Sequence, residues 1–370
     1  SEFISELADH EVHSDVIVAG RTYDEDVFFP SIVRLHTGEL LVVYRAALSH
    51  ASHTPGRIMC VRSRDGGRTW SKPEVIIDTP YDDRDPHITQ LSDGTLVLTF
   101  DVVEPVHQST WYYTYISMSY DNGRTWTKPR KVIDKPYVTS EKVLELPDGR
   151  LLLPVYRPRD PTQRHKGVNK WDYMRYLAEV EAGREKRPPD EVFTLENPYI
   201  SVLLISEDGG KTWKEKCVIA EEIGGKAIGF NETALAYLGG GHIVAVMRTD
   251  APWANACIAH SFDGGESFQE PRMLPVNAHA PHMLVLDEKR TLLVYGNCDY
   301  MGGYVTRYVE AMVGDPNKDF KDAKPKIVYT GSGGDTSYPE AVVLRGDTIF
   351  VVYYDSGVGI IGGRFLKLKQ

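Results

Sequence analysis

The sequence lacks any long apolar run, which argues against a chain that crosses a membrane as a helix. Charged residues make up 25% of the 370 residues and interrupt every apolar stretch well before the ~20 residues that a spanning helix needs. Residues 1–6 also lack the basic and then apolar pattern of a signal peptide, so we expect none, and both a cytoplasmic and a secreted location stay open. We predict no membrane partner.

Cysteine and positive charge are scarce as well. The sequence has 42 Lys and Arg against 52 Asp and Glu, a net charge of −10, so we expect no broad surface for nucleic acid. Without C-x-x-C spacing or histidine clusters, the cysteines predict free thiols and no metal site; they are Cys60, Cys217, Cys257 and Cys298. The Gly-rich run 239–241 lies in a hairpin turn and not before a helix, so no nucleotide or other cofactor is predicted.

An eight-residue motif, S-x-D-x-G-x-T-W, recurs along the chain. It is complete at 63–70, 119–126 and 206–213, and degenerate at 261–268. Asp and Gly favour a tight turn between two strands, in which the carboxylate binds turn amides and the tryptophan packs inward. We therefore expect the motif to stabilise the fold and to lie outside the functional site.

A second repeat, a strand, a turn and a strand, occurs six times. Its copies have β-branched and aromatic residues around a Gly or Asp turn, as β-hairpins do; they span 31–45, 87–101, 142–157, 233–248, 282–297 and 340–355. In the first four units another strand, the turn motif and a short strand follow, which makes four-stranded antiparallel blades. The pattern predicts an all-β, six-bladed propeller that forms a single domain over residues 1–370.

Two segments depart from the repeat. An insertion falls between the second and third turn motifs, at about 158–197, and its stretch 171–187 is the one convincing helical pattern. The last unit ends one strand short, after 360–368, while a spare strand is present at about 15–19. We predict that this N-terminal strand completes the last blade and closes the ring.

Chemically active side chains gather at one end of the predicted ring. The innermost strand of each blade runs along the central axis, so the residues just before the first strand of every unit meet at one mouth, to which the second strands return. The residues that we expect there are Asp85, His87, Glu141, Glu232, His282 and Tyr338 from the first strands, and Arg45, Arg157 and Arg248 from the second.

With these repeats the chain resembles the sialidase superfamily, whose Asp-box motif and six-bladed propeller match it over essentially its whole length. The resemblance implies a glycoside hydrolase with a carbohydrate substrate. Glu232, in an Asn-Glu pair before the hairpin that ends in Arg248, is similar to the family's base and to one arginine of its substrate-binding triad. Tyr338 resembles the nucleophilic tyrosine, which needs the base because an unperturbed tyrosine titrates near pH ~10.

Three features depart from the family's pattern and count against sialic acid as the substrate. Phe28 stands where the family has the arginine of its opening Arg-Ile-Pro, and residues 46–62 contain no carboxylate for the acid/base role. The third arginine of the triad has only Arg290 and Arg307 as nearby candidates.

The preferred hypothesis is an exo-acting glycoside hydrolase that cleaves a terminal sugar from a glycan. Its catalytic residues would be Asp85 as the acid, with Glu232 and Tyr338 on the nucleophile side. Its substrate contacts would be Arg45, His87, Glu141, Arg157, Arg248 and His282.

Two alternatives stay open. In the first, two carboxylates do the chemistry, with Glu141 or Asp85 facing Glu232, as in exo-hydrolases of the arabinanase or rhamnosidase type; a lyase acting on uronic acids is a weaker version. In the second, the propeller binds carbohydrate or protein without chemistry, and aromatic residues form its binding surface: Phe28, Phe29, Trp111, Tyr112 and Tyr113.

Overall fold

The computed structural model describes residues 4–6, 16–51, 54–106, 109–139, 141–299 and 306–368. Within them, six antiparallel sheets form the blades of a propeller, and the first strands of successive blades contact one another around the axis. The predicted six-bladed, all-β fold is therefore confirmed. Among the helices of the described residues, none has the length and apolar character needed to cross a membrane.

Each blade is read from the axis outward in chain order. Blades one and two consist of β3 (Asp26–Arg34), β4 (Leu40–Ala47), β5 (Gly56–Ser63) and β6 (Glu74–Ile77), then β7 (Asp82–Gln90), β8 (Leu96–Val106), β9 (Ser109–Ser119) and β10 (Arg130–Lys131). Blade three has its inner strand in two pieces, β11 (Val138–Thr139) and β12 (Leu144–Glu145), followed by β13 (Leu151–Pro158), β14 (Tyr199–Ser206) and β15 (Lys214–Ala220).

The remaining blades repeat the pattern. Blades four and five consist of β16 (Phe230–Gly239), β17 (His242–Thr249), β18 (Cys257–Ser261) and β19 (Arg272–Met273), then β20 (His279–Val285), β21 (Thr291–Asp299), β22 (Thr306–Gly314) and β23 (Lys326–Thr330). Blade six contains β24 (Thr336–Arg345), β25 (Thr348–Asp355) and β26 (Ile360–Leu368). Where blade five departs from the turn motif, a short 3-10 helix spans Pro316–Lys318.

The outer edge of blade six is paired by two segments from the start of the chain. Strand β2 (Val16–Gly20) runs antiparallel to β26, with Val16 opposite Gly363, and β1 (Ile4–Glu6) pairs with the end of the same strand. Of the predicted closing strand, Asp15 lies outside the described residues. An N-terminal strand thus covers an edge that would otherwise expose unpaired backbone groups.

Apolar side chains packed between adjacent blades form the core. One cluster joins the first blade to the last through Val42 and Tyr44 of β4 and Phe350 and Val352 of β25, all of them buried. Because side chains alternate along each strand, one face packs against each neighbouring blade, and most residues of the second strands are therefore apolar.

The turn motif has the structure predicted for it. In the first copy the Asp65 carboxylate accepts the Thr69 amide at 2.9 Å, and Ser63 Oγ accepts the Gly67 amide at the same distance. The Trp70 indole donates to the Gly67 carbonyl and stacks on Phe350 of the last blade. The motif therefore ties each outer hairpin and packs it against its neighbour, away from the axis.

The insertion between β13 and β14 carries two short helices, α1 (Lys170–Glu181) and α2 (Pro189–Val192). Asn169 caps helix α1, because its side chain accepts the backbone amides of Trp171 and Asp172 in the first turn. The helix ends earlier than predicted because Gly183 turns the chain with φ of 71°. Tyr173 packs against Phe193 and Trp253, which holds the insertion onto blade four.

A bulge interrupts the innermost strand in five blades of the described chain. At each bulge the ladder register shifts and one residue that is not glycine adopts a left-handed backbone, with φ between 41° and 55°; these residues are Phe29, Asp85, Glu232, Ala280 and Tyr338. The mouth residues predicted from the sequence thus lie inside the inner strands and not ahead of them. Such backbone strain is typical of functional sites.

Candidate active site

Glu232 and Tyr338 come together at the mouth of the ring although they stand 106 positions apart. The Tyr338 hydroxyl donates to Glu232 Oε2 at 2.6 Å, and Arg248 Nη1 donates to Oε1 at 2.7 Å. The Ala280 amide adds a longer bond to Oε1 at 3.3 Å. Glu232 is only 5% exposed, so its carboxylate is held in one position by a phenol, a guanidinium and a backbone amide.

The electrostatic surroundings of Tyr338 keep it protonated in the resting protein. Burial raises its pKa well above the usual value for tyrosine, and the negative charges of Asp85 and Glu232 raise it further. The phenol therefore donates a hydrogen bond to a carboxylate, the arrangement in which a base removes the proton as the oxygen attacks.

Asp85 lies near a buried acid, Asp101. Asp101 follows Phe100 in β8 and is fully buried, with one oxygen accepting the Thr139 amide at 2.8 Å. Burial raises the pKa of Asp101 well above the usual value, and the neighbouring charge of Asp85 raises it further. Asp101 is not among the site residues predicted from the sequence, although it closes the second predicted hairpin as Arg248 closes the fourth.

Aromatic rings form one wall of the mouth. The Phe29 ring lies 4.7 Å from the Tyr338 ring between centroids, and Tyr354 meets both residues edge-on or tilted. Phe28, where the resemblance calls for an arginine, is 2% exposed and contacts Phe29 and Tyr354. Two basic side chains meet this wall, since the Arg84 guanidinium carbon lies 5.2 Å from the centre of the Phe29 ring and the His50 ring lies edge-on to both phenylalanines.

Basic groups form a second wall, next to the aromatic one, because Asp335 accepts the Tyr354 hydroxyl and lies 3.8 Å from Arg307. Arg307 of β22 approaches His279 with 3.4 Å between Nη1 and Nδ1. Burial lowers the pKa of His279 well below its usual value, and the charges of Arg248 and Arg307 lower it further, so the imidazole is neutral between two cations. Arg290, the other candidate from the sequence, pairs with Asp287 in a hairpin turn at the far end of the ring.

Two of the predicted arginine contacts point elsewhere. Arg45 is fully buried, and its guanidinium binds Asp82 and the carbonyl groups of Ser49 and Thr54. This geometry favours a structural role for Arg45.

Arg157 of β13 binds the carbonyl groups of Pro158 and Arg159 and lies over the Tyr137 ring on the outer side of blade three. Its neighbour Tyr156 lies near the mouth acids: burial raises the pKa of its phenol well above the usual value, and the charges of Glu232, Asp101 and Asp85 raise it further. Neighbouring side chains on a strand point to opposite faces of the sheet, so Tyr156 and not Arg157 is directed to the mouth.

The three remaining predicted contacts lie deeper than the mouth. His87 and His282 each stand two positions beyond a bulge, and Glu141 lies beside them in blade three. His282 Nδ1 is 3.2 Å from Glu141 Oε2, and all three side chains are buried. These residues form a layer below the candidate active site and line the channel rather than the mouth.

Only part of the aromatic row on β9 faces the mouth. Tyr112 lies 6.0 Å from the guanidinium carbon of Arg84, a mouth residue next to Asp85. Trp111 and Tyr113 point to the other face, where they meet Arg164 and Lys131. The row is therefore not a continuous aromatic platform.

Comparison with protein families identifies the architecture. Residues 82–351 match the BNR repeat-like domain. The chain belongs to this family, within the sialidase superfamily. A segment of 108 residues is 32% identical to a sialidase from Paraclostridium sordellii, and the match spans 26% of each protein.

Solved structures show the same propeller. A protein of unknown function from Dyadobacter fermentans superposes with a TM-score of 0.76 at 24% identity, over 97% of this chain and 99% of that one. The intramolecular trans-sialidase from Ruminococcus gnavus gives 0.65 at 14% identity, with 98% of each chain covered. At these identities the likeness extends to the fold alone, so the chemistry of this BNR propeller must be argued from its own residues.

Proposed function

We propose that this BNR propeller is an exo-acting glycoside hydrolase that removes a terminal sugar from a glycan. The observation that carries the proposal is the chain of hydrogen bonds from Tyr338 to Glu232 and on to Arg248. A phenol, a base and a cation in contact at the mouth of an axial channel match the needs of a nucleophile that works at neutral pH. The five left-handed residues at the bulges support it, because strain of this kind persists where function requires it.

The proposed first step transfers the glycosyl group to the enzyme. Tyr338 Oη attacks the anomeric carbon while its proton passes to Glu232, and the bond to the leaving oxygen breaks. Asp85, in its protonated form, gives its proton to that oxygen as it departs.

The second step reverses these roles. A water molecule that loses its proton to Asp85 attacks the anomeric carbon, the bond to Tyr338 breaks, and Glu232 returns the proton to the phenolate. Two displacements at the same carbon leave the product with the anomeric configuration of the substrate. Arg248 keeps Glu232 in place through both steps.

The substrate proposed is a terminal sugar other than a typical sialoside. Phe28 stands where the resemblance calls for a carboxylate-binding arginine, whereas Arg248 and Arg307 remain at the mouth. Losing one charge-assisted pair costs about 1.5–3 kcal/mol of binding to an anionic sugar. A panel of aryl glycosides of sialic acid, arabinose, rhamnose and glucuronic acid tests the sugar directly.

The E232Q and Y338F variants test the chemistry on the sugar that the panel identifies. We expect kcat to fall by ~10²–10⁴-fold when the base is lost, and by at least as much without the nucleophile. R290A, at the far end of the ring, is the matched control and should retain full activity. Full activity in both E232Q and Y338F would refute the assignment.

An inverting mechanism with Asp85 and Glu232 as the acid and base is the second candidate. It is favoured by their placement, since both side chains stand on bulge residues and both charges act on Tyr338. The anomeric configuration of the first product, read by NMR, separates the two mechanisms, because inversion requires a single displacement by water.

A further inference from the structure

A layer of polar side chains crosses the channel below the candidate active site, and the proposed chemistry does not use it. In the bulged blades its members stand two positions after the bulge, and residues along a strand face are about 6–7 Å apart at that spacing. The layer combines two carboxylates, two imidazoles, a hydroxyl and an ammonium group, which belong to Glu141, Glu340, His87, His282, Ser31 and Lys142.

Three of these side chains point at one another from different blades. His87 Nδ1 of blade two lies 3.7 Å from Glu141 Oε1 of blade three and 3.8 Å from Glu340 Oε1 of blade six. One ligand atom from each residue lies within 4.8 Å of the other two, and all three side chains are buried. The three atoms thus surround a point close to the axis.

These separations are too long for hydrogen bonds, and His87 Nδ1 has no hydrogen-bond partner among the described residues. A buried polar nitrogen without a partner calls for an occupant of the space in front of it. Nitrogen and oxygen ligands at ~2.0–2.1 Å from a tetrahedral ion lie ~3.3–3.4 Å from one another. His87 Nδ1 would have to move by a few tenths of an ångström toward each glutamate oxygen, and the two oxygens, which lie within 4.8 Å of each other, would have to close to the same spacing.

Both carboxylates are oriented by further groups, as metal-ligating carboxylates are. Ser31 Oγ donates to Glu340, and Lys142 Nζ lies 3.5 Å from Glu340 Oε2, the oxygen turned away from His87. Glu141 Oε1 accepts the Lys142 amide at 3.0 Å, and its Oε2 faces His282. Outer contacts of this kind fix ligand geometry and raise metal affinity.

A cavity leads to this layer from the end of the ring opposite to the mouth. Its volume is about 400 Å³ and its walls are mostly apolar residues of the inner strands, with Glu141, Lys142 and His282 where it meets the layer and Arg34, His36 and Gln90 among its other lining residues. An ion and its water therefore have a route to the layer that does not pass Tyr338.

From this geometry we infer that His87, Glu141 and Glu340 bind a divalent transition-metal ion of the zinc class in the channel. One imidazole and two carboxylates form a ligand set that suits Zn²⁺ or Mn²⁺, with water from the cavity as a further ligand. Its ligands come from blades two, three and six, so the ion would link two early blades to the last one. The site is structural, and the proposed hydrolysis does not pass through it.

A proton on His87 is the competing occupant. With neutral imidazoles the layer carries two negative charges and the one positive charge of Lys142, so either one proton or a cation offsets the excess. Burial lowers the pKa of His87, but Glu340 and Glu141 raise it more, to a net value above the usual one. A test must therefore separate metal binding from protonation.

Calorimetric titration of the chelator-treated protein with ZnCl₂ makes this separation at constant pH. We expect one ion per chain, a higher Tm with Zn²⁺, and a lower Tm for untreated protein after chelator is added. H87Q and E340Q should weaken the affinity at least ~10-fold, as even the loss of an outer contact does. The matched controls are H260Q, a buried histidine outside the layer, and E310Q, a carboxylate of blade five; both should keep wild-type affinity.

Either of two results would overturn the inference. The first is no heat and no change in Tm for the wild-type protein. This result would show that a proton, and not a metal ion, offsets the negative charge of the layer, and it does not depend on whether the variants fold. The second is the same affinity in H87Q as in the wild type, which places the bound zinc on other histidines. Hydrolysis by the wild-type protein is measured separately, so failure here leaves the proposed function standing.

Discussion

Glu232 accepts the hydroxyl of Tyr338 at 2.6 Å, although blade five separates the two residues in the chain. Each stands on a bulge with a left-handed backbone, and a proline follows Tyr338. The bulge turns a side chain that would otherwise pack between blades toward the axis. The pair is therefore a product of the closed ring, in which blades four and six are brought to one mouth.

The role of Asp85 is tested by varying the leaving group. D85N should lose ~10²–10⁴-fold in kcat/KM on a glycoside whose leaving alcohol is poor, because general acid catalysis contributes about that much. On the 4-nitrophenyl glycoside of the same sugar the loss should be much smaller, since nitrophenolate departs without a proton. D287N, in the hairpin turn at the far end of the ring, is the control. Equal losses on both substrates would exclude Asp85 as the acid.

The basic wall predicts that any binding of acidic sugars depends on Arg307. R307A should raise KM about tenfold on a glucuronide or sialoside and leave kcat near its wild-type value, because a lost charged hydrogen bond costs about 1.5 kcal/mol of uniform binding. Steady-state kinetics with R290A as the matched control check this. An unchanged KM in R307A would mean that the sugar does not reach this wall.

The turn motif makes stability depend on acid pH. Hydrogen bonds from Thr212 and Ser206 lower the pKa of Asp208 to about 2, well below that of an unfolded aspartate. A depressed pKa in the folded state gives stability that is complete above ~pH 4 and lost as the pH falls toward 2. D208N should therefore lower Tm at pH 7 and differ less from the wild type at pH 2.5, as measured by thermal unfolding.

E288Q is the control for the loss of one negative charge, because it removes an exposed acid from a hairpin turn of blade five. Its Tm should stay near the wild-type value at both pH values. A Tm difference for D208N that is the same at pH 7 and pH 2.5 would contradict the assigned bonds.

The fold could be predicted from the sequence because its information is local and repeated. Each hairpin and each turn motif carries its own signal, and counting from Trp70, Trp126 and Trp213 gives the register of the blades. The same register placed Glu232 and Tyr338 at one mouth, where the structure has them in contact.

The rest of the site depends on details that no local pattern contains. Arg157 resembles Arg248 in sequence, yet the broken inner strand of blade three turns Tyr156 toward the mouth instead. Asp101 gains its importance only from the proximity of Asp85, and His87 meets Glu340 across the ring. Contacts between distant blades depend on how the blades pack. The residues of the site could therefore be predicted from the sequence, but the residues that they contact could not.

The central claim is that Tyr338 attacks the anomeric carbon, and trapping the glycosyl-enzyme tests it most directly. The protein is incubated with a fluorinated, activated glycoside of the sugar that the panel identifies, which slows the second step, and is then digested and analysed by mass spectrometry. The account predicts one glycosyl group on the peptide that contains Tyr338, and none in Y338F. A label on Glu232 or Asp85, or an unchanged label in Y338F, would contradict it.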